Sequence, residues 1–477
     1  MKIDLRRDAR HDESCNKFVA NKGVGCIYAC PRFGKTTIGK KLITRNRLKQ
    51  PNSKIVILTP SEIVEKHWRN YVDDVIIMTS NKAKNNLANL LKEDIDFLIV
   101  DELHKFVSDD NVNLLKSITT VSKYRLALTG TYPNNKTLTA LFPIVDTITE
   151  EEAIANGWIS EYIEYNVPIE LNDNEKVKYI KYSEFITETL ELFKGKSKLL
   201  NGKTQLVKDD FDLIMSCYTG IRPKNNNIKY IHGDIIRQAL ATIMGWNKDL
   251  DLSNSYNRER DLYWSPSNIY ERCKQFKQFM SSRNEILINN SNKLNAIVDI
   301  IRMNDVPTII FNESTEFVNK VADRLGILAI PYHSNIKSRP MLDENNNIIR
   351  SKNGKPKMFG ATRLKRMAIE GMQSGRYKYL VTAKALDEGL DLPILEQVII
   401  TGGSENPIQQ LQRSARGKTL DNNNKNKFTR IFNLYVDDFN DIIGINVKSR
   451  DKAKLINRQS KYTHSVKWIN KLSDLTI

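Results

Sequence analysis

ACPRFGKTTIGKK (residues 29–41) follows directly on the apolar run VGCIY. A strand-like run, then small residues, then Gly34-Lys35-Thr36 opening a helix-like segment, is the context of a phosphate-binding loop. In such a loop the backbone N–H groups point at the β-phosphate. Lys35 carries positive charge to the β and γ oxygens, and Thr36 offers a hydroxyl to Mg²⁺. Ala29 stands in the place of the first glycine, with Cys30, Pro31, Arg32 and Phe33 between it and Gly34. The expected phosphate contacts are therefore Ala29, Pro31, Arg32, Gly34, Lys35, Thr36 and Thr37. A glycine-containing strand-to-helix turn without a ligand is the competing reading.

LIVDELH (residues 98–104) weighs against that competitor. It is an apolar strand ending in two carboxylates, at the sheet edge where α/β folds bind ligands. Asp101 can hold Mg²⁺ through water, and Glu102 can orient or deprotonate an attacking water. A single acid at that place is commonly a helix cap. A pair of acids downstream of a phosphate loop is less readily explained so.

The surrounding chain supports an α/β reading. KIVILTP, DVIIMTS and RLALTGT are further short apolar runs between residues 24 and 150, separated by helix-like segments such as 36–49, 62–71 and 83–91. That alternation predicts a mostly parallel sheet. Residues 151–290 change in texture. YIEYNVPIEL reads as a strand, and roughly 174–290 is polar, helical and poor in strand signals. RERDLYWSPSNIYERCKQFKQF (258–279) mixes basic and aromatic residues, either to meet bases or to pack rings into a core with the charges outside. Packing is the expectation for most of its rings. A second α/β texture occupies 291–445, with VPTIIFNES, ILAIPYHS, YKYLVTA, LEQVIITGG and KFTRIFNLYVDDF as strands. Within it, MLDENNNIIRSKNGKPKMFG reads as an inserted hairpin or loop. The tail, 446–477, carries eight Lys/Arg against two Asp and reads as helical.

Composition sets the partners. The formal net charge is +17 and the pI is near 9.4, which points to an anionic partner such as nucleic acid. The alternative is lysine serving solubility. Five scattered cysteines form no CxxC pair, so neither a disulfide framework nor a zinc site is expected. The charged N-terminus shows no signal-peptide pattern and no run reaches the length of a membrane span. A soluble cytoplasmic protein without a membrane partner is the expectation.

With ACPRFGKT and DELH in hand, the chain resembles superfamily-two helicases and translocases, DELH being similar to their DEAH-type box. ILTPSEIVEKHW (57–68) resembles motif Ia, LTGTYP (128–133) motif III and TIIFNESTEFVNKVADRL (308–325) motif IV. VTAKALDEGLDLP (381–393) resembles motif V, and NPIQQLQRSARGKT (406–419) motif VI. The motifs fall in the family's order. The resemblance implies two tandem RecA-like lobes with parallel sheets (1–150 and 291–445), a helical insertion between them (151–290) and a basic helical tail. It implies ATP with Mg²⁺, squeezed between lobes. Lys35, Thr36, Asp101 and Glu102 would act from the first lobe, and Arg413 and Arg416 from the second.

Motif VI fits in two registers, Gln409 with Arg413 and Arg416, or Gln412 with Arg416. Arg416 serves in both and is the first choice for an arginine finger. Gly389 and Asp391 match nucleotide-side positions of motif V. Thr59, Pro60, Ser80, Thr131, Ser314 and Thr382 match positions facing the nucleic-acid backbone. His11 stands near the place of the family's adenine-reading glutamine, which this chain lacks. The implied activity is an ATP-dependent DNA helicase or translocase in replication, recombination or repair, acting as a monomer beside other such proteins. RNA unwinding, a restriction-complex motor and an ATP-gated clamp are the alternatives. The Asn- and Lys-rich composition suggests an AT-rich genome, and the compact two-lobe plan with its motif V–VI stretch resembles phage helicases, which implies the host cytoplasm.

Overall fold

The computed structural model describes residues 5–200, 209–224, 227–230, 266–336, 339–340, 348–351, 353–383, 392–402, 412–421, 424, 426–441, 443–459 and 466–475. The chain divides into two compact units. One comprises Met1–Pro168, Asn295–Tyr435 and Ala453–Ile477, and the other Ile169–Leu294 and Val436–Lys452.

The first lobe is built on β1 (Val24–Ala29), β2 (Ile55–Thr59), β3 (Ile76–Thr79), β4 (Ile95–Asp101), β5 (Ser122–Thr129) and β6 (Ile144–Ile148). Among the described residues these form one sheet in the order β3-β2-β4-β5-β1-β6. Neighbouring strands run parallel. All five residues of IVILT in β2 are buried, as a strand covered on both faces requires. Side-chain alternation sends Ile57, Ile99 and Leu128 into one core and Val56, Leu58, Leu98 and Val100 into another. The helices are α1 (Leu5–Ala20), α2 (Lys35–Lys49), α3 (Glu62–Arg69), α4 (Ser80–Asn85), α5 (Leu87–Leu90), α6 (Asp109–Thr120), α7 (Lys136–Leu141) and α8 (Glu150–Ala155). Ile38 and Leu42 of α2 fill the first core, and Leu115 and Ile118 of α6 the second. Beyond α8 the chain enters β7 (Glu161–Ile169).

The second unit contains α9 (Asp173–Phe193), α10 (Asp210–Gly220), β8 (Ile221–Lys224), β9 (Asn227–Tyr230) and α11 (Pro266–Ile288). A capping box starts α9: Asn172 accepts from the Glu175 N–H, and Glu175 accepts from the Asn172 N–H. Ile186, Phe193, Leu213, Ile214, Cys217, Ile269, Cys273 and Phe276 make its core. Phe276 of the basic-aromatic stretch is thus packed inward, as expected, while residues 258–265 lie outside the described residues. The antiparallel β8–β9 hairpin was not foreseen. Lys293, with no exposed side-chain surface, pairs with Asp451 at 2.6 Å, so part of the tail belongs to this unit.

The second lobe comprises α12 (Ser291–Met303), β10 (Thr308–Asn312), α13 (Thr315–Leu325), β11 (Ala329–Tyr332), α14 (Ala361–Gln373), β12 (Tyr379–Ala383), β13 (Gln397–Ile400), β14 (Phe428–Val436), α15 (Arg450–Gln459) and β15 (Lys467–Trp468). Its sheet runs β11-β12-β10-β13-β14-β7-β15 among the described residues. The pairs from β11 to β14 are parallel, as is β15 with β7. Two parallel-sheet α/β lobes are therefore present, the tandem RecA-like architecture. The boundaries differ from the sequence reading: β7 and the tail strand β15 both join the second sheet. At the inserted segment, Arg339–Pro340 just before it pairs antiparallel with Met358–Phe359 near its end. Among the described residues no helix is long and apolar enough to cross a membrane.

One polar network fastens α1 to β6. Arg10 donates to both Asp146 oxygens (2.7 and 3.1 Å) and to Glu152 (2.9 Å). Ser14 and Lys17 add bonds to Asp146 at 2.7 and 2.8 Å. Burial pushes the Asp146 carboxyl up, but Arg10, Lys17 and Ser14 outweigh it and hold it below the usual carboxylate range. Removing one partner leaves a buried charge uncompensated. Arg10→Met is expected to lower stability by about 3–5 kcal/mol, read as the denaturant midpoint.

Candidate nucleotide site

The phosphate loop is shaped by backbone geometry. Gly34 sits at φ 108° immediately before α2, a conformation that disfavours any side chain. A Cβ there would also lie 3.0 Å from His11 Nε2. Arg32 is left-handed as well, at φ 71°. The loop's outward carbonyls are held by α1: Arg7 donates from Nε to Phe33 O at 2.7 Å and from its guanidinium to Arg32 O. His11 Nε2 donates to Phe33 O at 3.0 Å. His11, expected near an adenine-reading position, thus bonds the loop itself.

Asp101 and Glu102 end β4. Strand β5 lies between β1 and β4, so LTGT at the end of β5 sits between the phosphate loop and the acids. Asp101 is 6% exposed. Its Oδ2 accepts from Trp68 Nε1 at 2.7 Å and its Oδ1 from the Glu102 N–H at 2.9 Å. Burial, followed by the neighbouring Glu102 charge, pushes the Asp101 carboxyl up to about 7. Glu102 is also penalised by burial, but Lys35, His104 and the Gly130 N–H outweigh that and lower it. Lys35 Nζ stands 3.8 Å from Glu102 Oε1. Glu102 adopts φ 53° and ψ 55°, the kind of backbone strain that gathers at functional sites. His104 Nδ1 lies 3.4 Å from Glu102 Oε2 and 2.9 Å from Thr129 Oγ1. Thr129 in turn donates to Thr131 O at 2.7 Å. The two motifs are joined through His104, a link the spacing of DELH and LTGT did not reveal.

The residues fit a bound Mg²⁺. Each Asp101 oxygen has one hydrogen bond and keeps a free lone pair. Among the described residues no cluster of three or more His, Cys, Asp or Glu could cage a metal alone. This matches the habit of Mg²⁺, which is held by one or two protein ligands, phosphate oxygens and water.

In the second lobe, Arg413 is 1% exposed. It donates to Gly402 O at 3.2 Å and lies 5.6 Å from the Phe311 ring centroid. Arg416 is 5% exposed, and its N–H bonds Arg413 O at 3.1 Å. Lys418, which the motif reading passed over, has no exposed side-chain surface. It pairs with Glu150 at 2.7 Å and stands 3.7 Å over the Tyr162 ring. Only its distant partners mark it, so its own neighbourhood in sequence carried no signal. Gly389, Asp391 and Gln409 lie outside the described residues.

Of the expected nucleic-acid contacts, Thr59 and Thr382 are fully buried and Ser80 nearly so. Their side chains therefore do not face outward: Thr59 bonds Ser61 O at 3.3 Å, and Ser80 begins α4. Pro60, Thr131 and Ser314 are half-buried, and Ser314 caps α13 by accepting from the Phe317 N–H.

Residues 292–418 match the helicase conserved C-terminal domain family. The match lies within the second lobe of this chain. Its similarity to solved structures extends over most of its length. The helicase domain of Hef from Pyrococcus furiosus aligns at 15% identity and a TM-score of 0.48, covering 94% of this chain and 97% of that one. A fragment assigned as an HsdR subunit of a type I restriction enzyme from Vibrio vulnificus YJ016 aligns at 12% identity and 0.48, covering 89% and 63%. No curated protein matches this chain in sequence.

Burial lowers the pKa of His11, so the folded protein keeps it neutral where the unfolded chain takes a proton. The stability it confers is complete above about 6.5 and fades as pH falls through the depressed folded value. Relative to His11→Gln, the wild type should therefore lose stability as pH falls below about 6.5, measured by denaturant midpoints at several pH values.

Proposed function

We propose that this protein is an ATP-dependent DNA motor, a helicase or translocase whose hydrolysis of ATP drives movement on the strand. The observation that carries the reading is the set assembled at one edge of the first sheet: Lys35 beside Glu102, and Asp101 buried between a hydrogen-bonding tryptophan and the loop. Mg²⁺, when bound, neutralises charge on the transferred phosphoryl group and polarises it. Thr36 and Asp101 would hold it. Glu102, kept ionised by Lys35 and His104, orients and accepts a proton from the attacking water. Ala29, Pro31, Arg32, Gly34 and Thr37 shape the loop around the phosphates.

From the second lobe, Arg416 approaches the γ-phosphate as the finger. Arg413, held against Phe311 and Gly402 O, is its nearest catalytic companion. Gly389 and Asp391 would meet the nucleotide from motif V. The +17 charge supports a phosphate-dominated, sequence-tolerant grip. Pro60, Thr131 and Ser314 are the side chains best exposed to make it. DNA is favoured over RNA by the DEAH-like box and the LTGT form of motif III. Replication, recombination or repair in a phage-infected cytoplasm is the setting the resemblance to phage helicases implies.

Glu102→Gln should abolish turnover while ATP still binds, and retained turnover would displace Glu102 as the base. Arg416→Ala should leave ATP affinity nearly intact and lower kcat by about 10³–10⁵, measured in steady-state assays. ATPase stimulation by DNA and by RNA, each at two salt concentrations, tests the polymer. Stimulation by neither would remove the motor reading.

A further inference from the structure

Trp68 has no surface exposed and is among the largest fully buried side chains in the chain. It lies in the last turn of α3, the helix that Ser61 caps immediately after Thr59 and Pro60. A Cβ added to Gly39 in α2 would lie 2.5 Å from the indole, so only glycine admits the ring there. The ring is thus fixed against the helix that carries the phosphate loop. Its one polar atom, Nε1, donates to Asp101 Oδ2 at 2.7 Å. An indole needs no carboxylate to be buried, since a backbone carbonyl would satisfy its N–H. Here the acceptor is the carboxylate assigned to the metal.

We propose that Trp68 is a positioning residue for Asp101. It fixes the carboxylate's rotation, so that Oδ1 and Oδ2 present their remaining lone pairs towards the metal's waters. The backbone N–H of Glu102 holds Oδ1 and the indole holds Oδ2, leaving the carboxylate no torsional freedom. A hydrogen-bonding partner behind a metal ligand typically governs affinity by about 10–100-fold when lost. Because Trp68 also abuts α2, the carboxylate and the phosphate loop keep a constant spacing. The inference rests on the nucleotide-site reading above.

The test is Trp68→Phe, which keeps most of the ring volume and loses the N–H. ADP binding is followed by calorimetry across a Mg²⁺ titration and in EDTA. The expected result is a Mg²⁺ requirement about 10-fold higher, with ADP affinity in EDTA unchanged. An unchanged Mg²⁺ requirement in a folded variant overturns the proposal and reduces Trp68 to a packing residue. Wild type that binds no ADP under either condition would instead defeat the nucleotide-site reading. If Trp68→Phe does not fold, wild type labelled with ¹⁵N at the indoles replaces it. The indole signal displaced by Asp101→Asn should be one that moves when Mg²⁺ is added to the ADP complex, and its failure to move overturns the proposal.

Discussion

A buried carboxylate and a half-buried one at the end of an apolar strand are the constraint around which the first lobe is arranged. Desolvation opposes charge on both Asp101 and Glu102, and each charge opposes the other. The surroundings divide the pair. Lys35, His104 and the Gly130 N–H favour the charged form of Glu102, whereas Asp101, whose favourable contacts do not outweigh burial, is driven up to about 7. Such a splitting gives one group a basic role and leaves the other sensitive to an arriving cation. The strand order supports this division, because β5 places Thr129 and Gly130 between the lysine's loop and the acids.

Helix α1 supports the same edge from outside. Its Arg7 and His11 bond the Arg32 and Phe33 carbonyls and so hold the phosphate loop in shape. The network around Asp146 fixes the helix to the sheet's other margin. Loop shape therefore depends on a helix anchored by Cys15 and Phe18 in the first core and by polar bonds at its other turns.

Much of this was legible in the sequence where chemistry is contiguous. VGCIYA, IVILT and FLIVD declare buried strands by unbroken apolarity, and all three lie in the first sheet. The second lobe followed from the same texture. What escaped the sequence is made by chain segments far apart. Trp68 drew no notice of its own because its acceptor, Asp101, lies on a strand far along the chain. Lys418 is explained by Glu150 and Tyr162, neither near it in the chain. The β8–β9 pairing hid within 174–290, a region read as polar, helical and poor in strand signals. Thr59 and Thr382 carried roles by position in a motif, while burial, which no motif records, turned their hydroxyls inward.

The margin of the second sheet deserves a last physical remark, since β15 contributes only Lys467 and Trp468 alongside Tyr165 and Asn166 of β7. A strand of two residues offers little template for another molecule, and both its residues are exposed, one of them charged. Terminal trimming before this point would leave β7 with unpaired backbone groups along a longer, flatter rim, the geometry on which strands of separate molecules join. The last segment of the chain thus acts as a selvedge, finishing the sheet so that it does not fray into its neighbours.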